Sequence, residues 1–267
     1  MHLKRWITGL LALPFLIYII YAGGLLLTML VTVASVAALL EYNRIVYYQW
    51  NRVLPGPIPV LGLLTIPALC WAGHGGRIDH MLAVLLVNFL VAGALSLFSF
   101  GRDTRVLEIV QKQLQGVLYI PLMLALLILI RKEPDGFLWV FTLILTVFAG
   151  DTLALYTGTF LGRHKLCPAI SPGKTIEGSL GGVGANILAA VIMKNFFAPD
   201  LGWGALLLYC LGAGIAGQMG DLFESQMKRV SGIKDSGSLL PGHGGILDRI
   251  DALLFASPVA YLLLRVF

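Results

Sequence analysis

FLWVFTLILTVFAGDTLALYTGTFLG, residues 137–162, is the stretch from which the fold of this chain can be read. It is apolar on every side and long enough to cross a bilayer, so it predicts a transmembrane helix rather than a core helix of a soluble domain. One residue breaks the pattern. Asp151 lies well inside the run, about 15 Å from the helix's C-terminal end at 1.5 Å per residue. A carboxylate at that depth costs several kcal/mol, on the order of 3, unless it faces a polar cavity or a partner. Two readings stand: a structural Asp hydrogen-bonded to a neighbouring helix, and a functional group. Other polar signals converge on the same half of the chain and favour the second.

The composition generalises the first inference. Of the 267 residues, 58% are hydrophobic and 12% are charged, with a mean hydropathy of +0.86. A soluble globular domain carries about a quarter of its residues charged. Apolar runs recur at roughly 6–21, 24–40, 58–73, 79–99, 116–131, 137–161, 176–194, 203–220 and 251–267, which predicts about nine spans and leaves nothing over for a soluble domain. The expected fold is an all-α, polytopic integral membrane helical bundle. Lys4 and Arg5 before the first apolar run resemble a secretory signal, but no small-residue cleavage site follows, so the run is expected to be a retained span. Pro14 within it would kink the helix.

Nine spans put Lys4, Arg5, Arg44, Arg52, Arg102, Arg105, Lys112, Arg163, Lys165, Lys174, Lys228, Arg229, Lys234 and Arg249 on one side. Arg77, Arg131, Lys132, Lys194 and Arg265 fall on the other. The positive-inside rule makes the first side cytoplasmic. The net charge of +5 therefore sits where anionic head groups and nucleotides are found. Nucleic acid is excluded as a partner, because no basic domain exists to present it. Cys70, Cys167 and Cys210 lie far apart without metal-ligand spacing, which argues against a disulfide framework or a zinc site.

Residues 1–135 read as scaffold helices, with loops carrying ordinary positive-inside charge, and 136–267 as the catalytic region of one integral membrane domain. Pro55, Pro57 and Pro59 predict a stiff linker before the third span. His74 and His80 flank a short external turn and read as polar capping rather than a metal site. In the second half, Pro172 and Gly173 ahead of Lys174 and Thr175 predict a loop feeding a helix N-terminus, whose free N–H groups favour an anion. The Walker A spacing is absent. Glycines then recur in two spans, at 178, 181, 182 and 184 and at 212, 214, 217 and 220. Close helix packing accounts for most of them, and a ligand-accessible cavity is the alternative. Asp221, Glu224, Ser225 and Lys228 share one helix face.

The densest charge comes next. Ser225–Asp251 reads SQMKRVSGIKDSGSLLPGHGGILDRID. Lys228, Arg229, Lys234 and Arg249 suit phosphates, and Asp235, Asp248 and Asp251 suit the metal ions that accompany them. Asp248 and Asp251, at i and i+3, share a helix face. Carboxylate oxygens in that arrangement suit Mg²⁺, which takes one or two carboxylates plus waters and substrate phosphates. His243, between glycines, is a phosphate donor or proton carrier, or a solvated loop residue. Phosphoryl-type chemistry at a membrane surface is the reading these residues support.

The run Ser225-x-x-Lys228-Arg229…Lys234-Asp235…Pro241-Gly-His243-Gly-Gly…Asp248-Arg249-x-Asp251 resembles the signature of the phosphatidate cytidylyltransferase, or CDP-diacylglycerol synthase, family. A second block agrees: Asp151 with Tyr156, then Gly162, Lys165 and Ser171-Pro172-x-Lys174-Thr175-x-Glu177-Gly178. The two blocks cover the second half, and the first half is similar only in being a hydrophobic bundle of the expected length. The resemblance implies a polar cavity in the C-terminal half, facing the cytoplasm and open to lipid, in a homodimer of the bacterial cytoplasmic (inner) membrane. It implies transfer of the cytidylyl group of CTP to phosphatidic acid, with Mg²⁺ and, beside it, K⁺. Asp221 and Asp248 match the family's metal-binding aspartates, with Asp251 and Asp151 as further ligands. Lys174, Lys228, Arg229 and Arg249 are the expected phosphate contacts, with His243 and Lys234 after them. Ser171, Thr175, Glu177 and Ser225 complete the substrate-binding set, Ser225 as a hydrogen-bond donor. The alternatives are a related CTP enzyme acting on another lipid phosphate or a polyprenol, and an ion-coupled transporter. The transporter predicts paired discontinuous helices in two related halves, and no internal repeat is visible. A CDP-alcohol phosphotransferase is excluded by the absence of its aspartate pattern.

Overall fold

The computed structural model describes residues 14–50, 56–101, 103–233, 236–237 and 244–266. The chain is a helical integral membrane protein. Residues 14–22 are helical (α1), followed by α2 (Gly24–Val46), α3 (Pro57–His74), α4 (Ile78–Ser99), α5 (Val106–Val117), α6 (Met123–Lys132), α7 (Gly136–Leu161), α8 (Ile176–Ile192), α9 (Trp203–Ser231) and α10 (Leu247–Leu264). Seven helical segments are long and apolar enough to cross a membrane: α2, α3, α4, α5 with α6, α7, α8 with its extension to Phe197, and α9. They coincide with seven of the predicted runs. The first predicted run lies partly outside the described residues. The last is helical as α10, but its first turn carries Asp248, Arg249 and Asp251.

Three segments expected as loops have structure of their own. Residues 106–115 are helical and continue into the next span through a π-helical turn, Leu118–Leu122. Pro121 sits inside that turn, where a missing N–H and a bulky ring disturb the i→i−4 ladder. At the other end of the chain, α9 runs on past the apolar stretch to Ser231, carrying Asp221, Glu224 and Lys228 with it. Between α7 and α8 a two-stranded antiparallel hairpin forms, β1 (Lys165–Cys167) with β2 (Ser171–Thr175). Pro57 opens α3 at its first position, where the absent N–H costs nothing.

Two compact units emerge. The first contains the chain up to Leu129 and Ser231–Arg249; the second contains Ile130–Val230 and Ile250–Phe267. In the first unit, buried polar groups pair across helices. Asn88 on α4 donates its amide to Thr65 on α3 at 2.7 Å, and Gln113 on α5 donates to Asn88 at 3.1 Å. Tyr42 on α2 donates its hydroxyl to the Lys112 carbonyl at 2.9 Å. Gly116 makes room for that ring: a Cβ there would stand 2.7 Å from it. At the helix ends, Lys112 lies 4.4 Å from the Trp50 ring centroid and donates to the Val46 carbonyl. His74 contacts Thr28 through Nδ1 at 3.1 Å and stacks on Trp71. Cys70 and Cys210 are buried and unbridged.

In hydrocarbon the Thr65–Asn88–Gln113 chain has no water to replace a lost partner. Asn88→Leu is expected to destabilise the protein by about 1–2 kcal/mol. The check is the unfolding midpoint in mixed micelles, with Phe98→Leu on the exposed face of α4 expected to leave it unchanged.

Candidate active site

The site in the second unit begins with a close helix contact. Gly158 on α7 and Gly178 on α8 meet so tightly that a Cβ on Gly178 would stand 2.8 Å from the Ala154 carbonyl oxygen. The start of α8 is fixed by its own cap: the Thr175 hydroxyl accepts the Gly178 N–H at 3.1 Å. Thr175 is therefore buried at the junction of strand and helix, as an N-cap residue should be. Ser179 and Gln218 tie α8 to α9 through their side chains, with the Gln218 amide also donating to the Ser179 carbonyl at 3.2 Å. Gly220 brings α9 against α10, since a Cβ there would stand 2.5 Å from the Asp251 carbonyl oxygen.

This frame gathers charge. Lys174, at the end of β2, forms an ion pair with Asp221 on α9, and both are partly exposed. Asp151 is exposed on α7, and its electrostatic neighbours are Asp221 and Lys174. Asp251 feels Asp221, Glu224 and Asp151. Glu224 is buried and paired with Lys228 at 2.5 Å. Four carboxylates, at 151, 221, 224 and 251, thus share one region, and the described contacts set two ammonium groups, Lys174 and Lys228, against them.

Other predicted residues are accounted for by local architecture. Glu177 accepts the backbone N–H groups of Arg163 and His164, and its carboxylate lies 2.6 Å from His164 Nδ1. It closes the base of the hairpin. Arg229 donates Nε to the Ile170 carbonyl at 3.0 Å, holding the hairpin turn to α9. Ser171 opens β2, and Ser225 is half-buried on α9 beside Glu224. Arg249 is exposed. Lys234 and His243 lie outside the described residues.

In the first unit, Asp248 turns to its own loop. Its Oδ2 accepts the N–H groups of Ser236 at 3.3 Å and Gly245 at 3.2 Å. Beside it is a residue the sequence reading passed over. Glu41, buried at 2% exposure near the C-terminal end of α2, accepts the Ser236 hydroxyl, the Ile246 N–H and the Leu247 N–H. The signal was present but faint: a single carboxylate abutting an apolar run, indistinguishable by position from the first residue of a polar loop.

The donor set can be tested against Mg²⁺. Among the described residues, no three His, Cys, Asp or Glu side chains converge into a ready-made cage. Mg²⁺ does not ask for one, because it keeps waters and shares substrate phosphates with one or two carboxylates. An excess of carboxylates over ammonium groups suits it. Asp221 with Asp251 and Asp151 are the residues that fit.

Lys174 and a divalent cation would compete for the Asp221 carboxylate. Lys174→Met is expected to lower the unfolding midpoint at low ionic strength by leaving the carboxylates under-neutralised. Millimolar Mg²⁺ should restore part of that loss. A midpoint that ignores Mg²⁺ in both proteins would count against a cation site at this cluster.

Comparison with known proteins places this arrangement. Residues 3–267 match the Cytidylyltransferase family. The chain is 34% identical to a phosphatidate cytidylyltransferase of Staphylococcus epidermidis, over 97% of this chain and 98% of that one. It is 33% identical to the Staphylococcus aureus phosphatidate cytidylyltransferase, with the same coverage of both chains. The Staphylococcus saprophyticus protein of that name is 32% identical, again over 97% of this chain and 98% of its own. With the family match running through both of its units, this membrane protein belongs to the cytidylyltransferase family.

Proposed function

We propose that this protein transfers the cytidylyl group of CTP to phosphatidic acid, giving CDP-diacylglycerol and pyrophosphate. The observation that carries the reading is the Lys174–Asp221 pair set among Asp151, Glu224 and Asp251. Charge of both signs gathered in a membrane protein suits a reaction that must bring a polar nucleotide to a lipid. Its relatives, named phosphatidate cytidylyltransferases over nearly the full chain, supply the substrates.

The chemistry needs no strong general base. A phosphate oxygen of phosphatidic acid is already an anion when it attacks the α-phosphorus of CTP, and pyrophosphate leaves from the opposite side. The barrier lies in bringing anions together and aligning them. Lys174, beside Asp221, would neutralise triphosphate charge. Lys228, held by Glu224 one helical turn away, is the second ammonium at the cluster, and Arg229 and Arg249 extend the positive field. Asp221, Asp251 and Asp151 are the proposed Mg²⁺ ligands, with Asp248 proposed as a further one on the resemblance, and Mg²⁺ held there would supply neutralisation of the phosphates and polarisation toward attack. K⁺ is proposed as a second cation on the resemblance alone.

The lipid side follows from the outer face of α7. Phe148, Leu155 and Tyr156, exposed apolar neighbours of Asp151 along the helix, give acyl chains a path beside the charge cluster. The bias of Lys and Arg supports an active site facing the cytoplasm, and the bacterial relatives support the inner membrane. The homodimer rests on the resemblance.

The test uses purified protein in detergent–lipid micelles with phosphatidic acid, labelled CTP and Mg²⁺. A lipid-extractable cytidine product is expected, abolished by EDTA and reduced by at least about 100-fold in Asp221→Asn. Product that survives Asp221→Asn would keep the reaction and discard the metal assignment. CTP binding without product would point to another lipid phosphate, and no CTP binding would return the transporter reading.

A further inference from the structure

Among the described residues of the first unit, Glu41 is the buried carboxylate that no part of the proposed mechanism uses, and both of its oxygens accept hydrogen bonds. Its Oε2 accepts the Ser236 hydroxyl at 3.2 Å and the Leu247 N–H at 2.9 Å, while Oε1 accepts the Ile246 N–H at 3.1 Å. Two glycines are shaped around it. A Cβ on Gly237 would stand 2.6 Å from Oε1, and one on Gly245 would stand 2.5 Å from Oε2. Gly244 adopts φ +82°, a left-handed conformation that turns the chain into this contact. The partners come from both described ends of the loop before α10 and from the first turn of α10 itself.

A helix that begins beside a membrane must satisfy its first N–H groups, and an anion there is favoured by the helix dipole. At the start of α10 Glu41 does this for Ile246 and Leu247, while Asp248 takes the N–H groups of Ser236 and Gly245 in the preceding loop. Ser236 touches both carboxylates, its N–H on Asp248 and its hydroxyl on Glu41. The loop is therefore stitched to α2 at the same point where Asp248 is oriented. An ordinary N-cap comes from a neighbouring residue; this one comes from a helix 206 residues earlier in the chain.

We infer that Glu41 is a positioning residue: it locks the start of α10 and the orientation of Asp248. This rests on the proposed function, in which Asp248 is a metal ligand. Outer-shell partners that orient metal-binding carboxylates typically change metal affinity or activity 10- to 100-fold when removed. Glutamine in place of Glu41 would offer one acceptor oxygen and set N–H groups against N–H groups. Aspartate would keep the charge and fall short by one methylene.

The experiment compares wild type, Glu41→Gln, Glu41→Asp and Ser236→Ala in the micellar assay, with a full Mg²⁺ titration for each. The expected result for Glu41→Gln is an Mg²⁺ activation midpoint raised about tenfold or more and a reduced kcat, with the KM for CTP changed much less. Glu41→Asp should recover part of the Mg²⁺ midpoint, and Ser236→Ala should shift it in the same direction by a smaller factor. Amide hydrogen exchange gives a readout independent of turnover: Ile246 and Leu247 should lose protection in Glu41→Gln while α2 keeps its own. If Glu41→Gln fails to fold, Ser236→Ala decides, because removing one hydroxyl leaves the helices intact. Wild-type Mg²⁺ midpoints in the folded variants overturn the inference, as does a loss of stability with kcat and Mg²⁺ dependence unchanged. A wild-type protein that makes no cytidine lipid overturns the proposed function instead, and the exchange data then still report whether Glu41 holds the start of α10.

Discussion

Water cannot solvate a charge inside hydrocarbon, so each polar group at membrane depth has to find its partner within the protein. That constraint organises the molecule. Thr65, Asn88 and Gln113, buried on three different helices, form one chain of amide and hydroxyl bonds. Tyr42 and Tyr47 reach backbone carbonyls on the α5 helix. The same rule that forces these pairs makes unbalanced charge conspicuous. The cluster around Asp221 has more carboxylates than ammonium groups in its described contacts.

The second consequence is precision. Small residues let helix backbones meet without intervening side chains, so the groups they carry are held by main chain rather than by long flexible linkers. Gly158 against Gly178 sets α7 on α8, and Gly220 sets α9 on the start of α10. Asp151, Asp221 and Asp251 stand on three of those helices, and Lys174 arrives on a strand pinned by the Thr175 cap. The hairpin is in turn fastened by Glu177 at its base and Arg229 at its turn. Several residues of the signature are thus occupied with holding the others still.

Glu41 lies in the half of the chain that reads as scaffold, and it binds a segment from the other end of the chain. Residues 1–135 carry no catalytic signature, yet the first unit contains both Glu41 and the segment Ser231–Arg249. The boundary drawn from composition near residue 135 separates apolar helices from polar ones. Compactness groups residues by contact, and a loop late in the chain can pack on helices formed early.

Hydropathy and charge are properties of a residue and its neighbours along the chain, so the sequence alone determined that this is a polytopic helical membrane protein. It also placed seven of the membrane-crossing helices and carried the residues that spell the family signature. The hairpin at 165–175 was invisible because only three residues of β1 and five of β2 form it, too few for an alternating pattern. The extra helix at 106–115 was hidden by its charges, which read as loop. Only the tertiary structure decided which charge meets which: Lys174 with Asp221, Glu177 with His164, Glu41 with Leu247. Membrane helices are apolar on the lipid side as well as the protein side, so periodicity does not reveal the buried face. Partners far apart in the chain are then chosen by how the backbones cross, and that is settled in three dimensions.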